Sequence, residues 1–267
     1  MHFNFDFSTA QILWTLTFAA LLVLLVVLLG RDRVRRFPWF TASMVLMALR
    51  MLAGRLLYHR LSMVLSEEIF LALADVGAII ALLIVVEMAQ RAFARADRKI
   101  WIAATVALLA VGGVVLALWG PWPSFKTLFV ASEESTLRLM QLFAQKADLL
   151  ADVLIIQLSL LVALFGRYYN AGWRSHVQQI VIGLSTASIA QLAIRGTLQH
   201  IATHATIHSQ DEYQHIMGLM NKLDNANSVI FLVVLVWWII CLWIDEPGTK
   251  SKDQGTGIRV QEAGTGE

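Results

Sequence analysis

Residues 9–36 read TAQILWTLTFAALLVLLVVLLGRDRVRR, and their order decides the architecture. Residues 9–30 pass without a charge, and then four arginines arrive within six positions. As an α-helix the apolar run is about 33 Å long, enough to cross a hydrocarbon layer ~30 Å thick. No Lys or Arg precedes it, so the basic leader of a secretory signal is missing. The arginines behind it instead mark a retained first helix whose N-terminus lies outside.

The same pattern recurs along the chain. Of the 267 residues, 58% are hydrophobic and 15% are charged, against about 25% charged in a soluble domain. Hydropathy and the charged borders of each run predict an all-α, polytopic membrane protein, a seven-transmembrane helix bundle. Its helices are expected at roughly 9–30, 37–58, 68–90, 99–120, 132–167, 176–208 and 223–244. Together they make a transmembrane domain over 1–246. The remainder, 247–267, is Gly-rich and polar, without apolar periodicity, and reads as a disordered tail. Two features lengthen the outer side. Ser132 with Glu133 and Glu134 is a helix start, and Ser209 with Glu212 has the spacing of a capping box that opens a short helix of its own.

Charge asymmetry orients the bundle. One set of connections, with the tail, holds thirteen basic residues, from Arg31, Arg33, Arg35 and Arg36 through Arg91, Arg95, Arg98 and Lys99 to Arg259. The opposite connections hold five, Arg60, Lys126, Arg138, Lys146 and Lys222. Cytoplasmic loops carry the Lys/Arg excess, so the expectation is an outside N-terminus and a cytoplasmic C-terminus in an inner or plasma membrane. Trp39, Trp101, Trp173 and Trp243 near one set of helix ends and Trp14, Trp119 and Trp122 near the other read as interfacial anchors. The single cysteine, Cys241, excludes an intrachain disulfide. The bilayer is the expected environment, and nothing points to nucleic acid.

Ionisable groups inside spans are costly and mark candidate sites. Counted along the helices, Arg50, Asp75, Asp152 and Gln191 reach one level in the outer half, with Arg195 one turn above Gln191. Opposite charges at one depth satisfy each other, so Arg50 is expected to pair with Asp75 or Asp152. The layer is read as a structural ion-pair network, as the floor of an outward cavity for a small polar ligand or ion, or as a proton relay. The inner half offers only Gln157 and Glu87, which speaks against a channel or transporter.

A second candidate is the stretch LQHIATHATIHSQDEYQH at 198–215. His200, His204 and His208 are spaced four apart and share a helix face, and His215 follows. Adjacent pairs at this spacing hold a transition metal such as zinc in known helices. The three together span ~12 Å and cannot share one ion. An interfacial helix end and a pH-responsive stripe are the competing readings.

Among seven-helix families, retinal is excluded because the last span, NSVIFLVVLVWWIICLWI, has no lysine. The adiponectin-receptor and ceramidase hydrolases need a histidine on an early helix, and ASMVLMALRMLAGRLL has none. RRFPWF at 35–40 and VEMAQRAF at 86–93 resemble the pattern of uncharacterised bacterial seven-helix membrane proteins of the acidobacterial type. That resemblance covers about the first hundred residues and implies the seven-helix layout without an activity. The expected function is a non-enzymatic receptor, sensor or binding protein. Its ligand residues would be Arg50, Asp75, Asp152, Gln191 and Arg195. The alternatives are a metal-dependent membrane enzyme using the histidines and an accessory subunit with a protein partner.

Overall fold

The computed structural model describes residues 9–57, 62–93, 98–119, 122, 133–165, 175–204 and 210–244. Among them there is no strand. The long helices are α1 (Thr9–Gly30), α2 (Pro38–Leu57), α3 (Met63–Ala92), α4 (Arg98–Leu118), α5 (Glu133–Phe165), α6 (His176–His204) and α7 (Gln210–Trp243). A one-turn helix, Arg33–Arg36, joins α1 to α2. Five candidate spans, in α1, α3, α5, α6 and α7, are long and apolar enough to cross a bilayer, as in a multi-pass membrane protein. The other two of the seven expected spans fall short. Arg50 and Arg55 interrupt the second half of α2, and among the described side chains the apolar part of α4 is Ile102–Leu118.

Local chemistry explains where helices begin and end. Ser62 caps α3, its Oγ accepting the Leu65 N–H at 3.4 Å, and Ser175 does the same for Gln178 at the start of α6. The α1–α2 connection turns at Asp32, the one described non-glycine residue with positive φ, at 51°. Aspartate tolerates this left-handed conformation. Then Phe37 N–H bonds the Arg33 carbonyl at 2.7 Å, and Phe37 itself is fully buried.

Two boundaries differ from the hydropathy reading. The helix expected to open at Ser209 and stop before the last span begins at Gln210 and runs unbroken to Trp243. The third helix begins at Met63 rather than near residue 68. Hydropathy locates the hydrocarbon, whereas backbone hydrogen bonds continue through polar residues. At 33 and 34 residues, α5 and α7 are each roughly 50 Å long, well beyond a ~30 Å layer.

The helices form a ring in the order α1, α2, α3, α5, α6, α7, which closes on α1, and α4 packs outside on α5. Three contacts gather one set of helix ends. Arg31 lies over the Trp243 ring at 4.9 Å. The Phe40 N–H donates to Glu87 at 3.3 Å. His176 Nε2 donates to the Ile244 carbonyl at 3.0 Å. This is the basic end of the bundle. Here Glu87 also pairs with Arg91 at 3.4 Å, and Arg91 and Arg36 lie over the Phe37 ring at 5.1 and 5.5 Å. At the far end, Lys146 donates to the Trp119 carbonyl and its ammonium lies 4.4 Å from the Trp122 ring centroid.

Packing is uneven between the two ends. Toward the basic end, Leu24, Phe40, Ile84, Met88, Leu158, Ile180, Leu235 and Trp238 fill the ring. The Phe40 and Trp238 rings meet edge to face at 5.0 Å. The Trp238 indole lies so close to Gly183 that any Cβ there would collide with it. Toward the far end the ring loosens. Among the described side chains, none at 49–56, 65–77, 189–201 or 210–233 is buried, whereas α5 keeps buried residues up to Ala144 and α1 up to Thr17.

Candidate functional site

The polar layer lies where the tight core gives way to the looser far half. On α5, Asp148 and Asp152 are four residues apart and share a face. On α6, Ser188, Gln191 and Arg195 share another. The two faces meet. Ser188 Oγ donates to Asp152 Oδ1 at 2.8 Å in a buried contact. Arg195 spans both carboxylates, with Nη2 at 3.2 Å from Asp148 Oδ2 and Nη1 at 3.8 Å from Asp152 Oδ2. The fork geometry of a guanidinium suits a bridge of this kind.

Two further charges approach from α2 and α3. Arg50 reaches across to α3, where its Nη1 lies 3.6 Å from the position a Cβ would take at Gly77. Asp75, two residues earlier on α3, has a buried Oδ1 without a hydrogen-bond partner. Four helices thus contribute charge to one level.

The pairing differs from the sequence expectation. Arg50 makes no ion pair with Asp75 or Asp152, and Asp152 is held by Ser188 and Arg195 instead. Depth counted along a helix fixes the level of a side chain but not the direction it faces. Gln191 is half-buried one turn before Arg195. The sequence reading overlooked Asp148 and Ser188. The four-residue step from Asp148 to Asp152 and the seven-residue step from Ser188 to Arg195 were the available signals.

The histidines are not gathered by the described structure. His200 on α6 and His215 on α7 are exposed. The side chain of His204 and all of His208 lie outside the described residues. Among the described residues no group of three His, Cys, Asp or Glu side chains could hold a metal ion.

A shallow groove of about 430 Å³ opens further toward the far end, between Leu65, Glu68, Ile69 and Ala72 of α3 and Thr136, Leu137 and Met140 of α5. Comparison with family models, with curated proteins and with solved structures finds no match to this chain.

Proposed function

We propose that the chain is a seven-span receptor, sensor or binding protein of an inner or plasma membrane. Its N-terminus is outside, its tail is cytoplasmic, and it admits a small polar ligand from outside into the far half of the bundle. The observation that carries this reading is the contrast along the bundle axis. A close-packed apolar core seals the basic end, and a four-helix layer of charges sits directly above it where packing relaxes. Charge at bilayer depth is retained where it lines a hydrated cavity or binds a ligand. A purely structural clasp would need only Arg195 and its two aspartates. Arg50 and Asp75 exceed that need.

Cysteine accessibility tests the reading. In a Cys241→Ser background, Gln191→Cys is expected to react with a membrane-impermeant maleimide added outside intact cells. Ile180→Cys, in the sealed core, is expected to stay unlabelled. Labelling of Gln191→Cys from the cytoplasmic side alone, or of neither position, would remove the outward cavity.

A further inference from the structure

The basic end of the bundle bears on the bilayer directly, whatever the far half admits. Asp32, in its left-handed turn, leads the chain out of α1 into the one-turn helix Arg33–Arg36 and on to the fully buried Phe37. The Phe37 ring gathers two guanidiniums from separate elements, Arg36 at 5.5 Å and Arg91 of α3 at 5.1 Å. Its backbone is fixed as well, the carbonyl accepting the Thr41 N–H at 3.0 Å and the Thr41 hydroxyl at 2.8 Å. The fold therefore positions this pair of charges side by side between α2 and α3.

Nearby carboxylates leave the guanidinium edges with donors to spare. Arg91 pairs with Glu87, but that side chain is only 5% exposed and also accepts the Phe40 N–H from the core side. A guanidinium has five N–H donors, and one carboxylate contact does not use them. Asp32 pairs with Arg35 at 3.8 Å with both side chains in water, where such a pair is weak. Residues 31–36 set four arginines against this one aspartate.

Below the arginines the outward faces of the same two helices turn apolar. Trp39 and Val45 on α2 and Ile79 and Val86 on α3 are each 42–49% exposed. A cationic rim above an apolar flank is the complement of an amphiphile with an acidic head. A water-soluble anion would engage the rim and leave the flank uncovered. A zwitterionic headgroup would bring its own ammonium against the arginines.

We infer that this end holds an acidic phospholipid of the adjoining leaflet, its phosphodiester on Arg36 and Arg91 and its acyl chains along α2 and α3. Each guanidinium presents parallel N–H groups to the phosphate oxygens, a geometry lysine lacks. Basic recesses between membrane helices at a headgroup level take acidic lipids in this way.

The test is thermal unfolding of the full-length protein in a neutral detergent. The probes are phosphatidylglycerol, phosphatidylcholine and inorganic phosphate. Phosphatidylglycerol is expected to raise the midpoint by roughly 5 °C at about a hundredfold excess over Kd, and the other two not at all. Arg36→Gln with Arg91→Gln should lose most of that shift. Arg36→Lys with Arg91→Lys should keep part of it, which guards against a variant that merely misfolds. Lys222→Gln, at the far end, should keep all of it.

An equal shift with phosphatidylcholine would overturn the acidic headgroup. An equal shift with inorganic phosphate would overturn the lipid as its source. A shift that survives intact in the Gln pair, or that falls as far in Lys222→Gln, would overturn the place assigned to it.

Discussion

At the residue scale, the clasp between α5 and α6 rests on one guanidinium serving two carboxylates. Removing Arg195 leaves Asp148 and Asp152 facing each other with Ser188 as the sole described donor to the pair. A stranded buried charge costs several kcal/mol. Arg195 and Asp148 are each about a third exposed, which reduces the penalty here to about 1–3 kcal/mol. Arg195→Ala is therefore expected to lower the unfolding midpoint, and adding Asp148→Asn and Asp152→Asn is expected to recover part of the loss. Equal midpoints for the single and triple variants would show that no carboxylate is stranded at a cost, and a single variant equal to wild type would show that the clasp contributes nothing. The sequence showed that charge stood at this level, since Asp152 and Arg195 interrupt apolar runs. It did not show which groups meet, because Asp148 lies near the start of the apolar run and Ser188 is a common helix residue.

At the element scale, α4 depends on a small-residue contact. It packs on α5 from outside the ring, and adjacent glycines on it face different surroundings. A Cβ at Gly112 would come within 3.0 Å of Leu150 Cδ1 and 3.1 Å of Leu154 Cδ2. A Cβ at Gly113 would meet nothing within 4 Å. Small residues let membrane helices approach closely, since packing and not hydrophobicity drives their association. Gly112→Ala is expected to cost about 1 kcal/mol or more through crowding. Gly113→Ala should be neutral or slightly stabilising, because glycine inside a helix is unfavourable. Melting curves of the two variants decide the matter, and a reversed order would refute this docking of α4. Helices were legible as apolar runs, but their lengths were not. The far-end extensions of α5 and α7 are polar, and helical hydrogen bonding does not require apolar side chains.

At the scale of the whole molecule, contacts at both ends show that the long helices alternate in direction. Gln179 meets Cys241, Phe40 meets Glu87, and Trp119 meets Lys146. The arginines 31–36 and Arg91 therefore share one end of the bundle, as the charge asymmetry of the sequence implies. With all seven helices crossing, epitope tags between α2 and α3, α4 and α5, and α6 and α7 are expected to be reached from outside. Tags between α3 and α4, between α5 and α6, and on the tail should be reached only from within. A tag before α4 and one after it on the same side would reduce the number of crossings and leave α4 as a surface helix.

The sequence by itself determined the helical class, the helices long and apolar enough to cross a bilayer, and the grouping of basic helix ends. Each of these follows from composition along a single segment measured against the thickness of a bilayer. Only the tertiary structure decided that α4 stands outside the ring, that the core is sealed at the basic end, and that Arg195 rather than Arg50 holds Asp152. Those outcomes depend on the direction each helix face points. That rotation is set by mutual packing between helices, and no single segment encodes it.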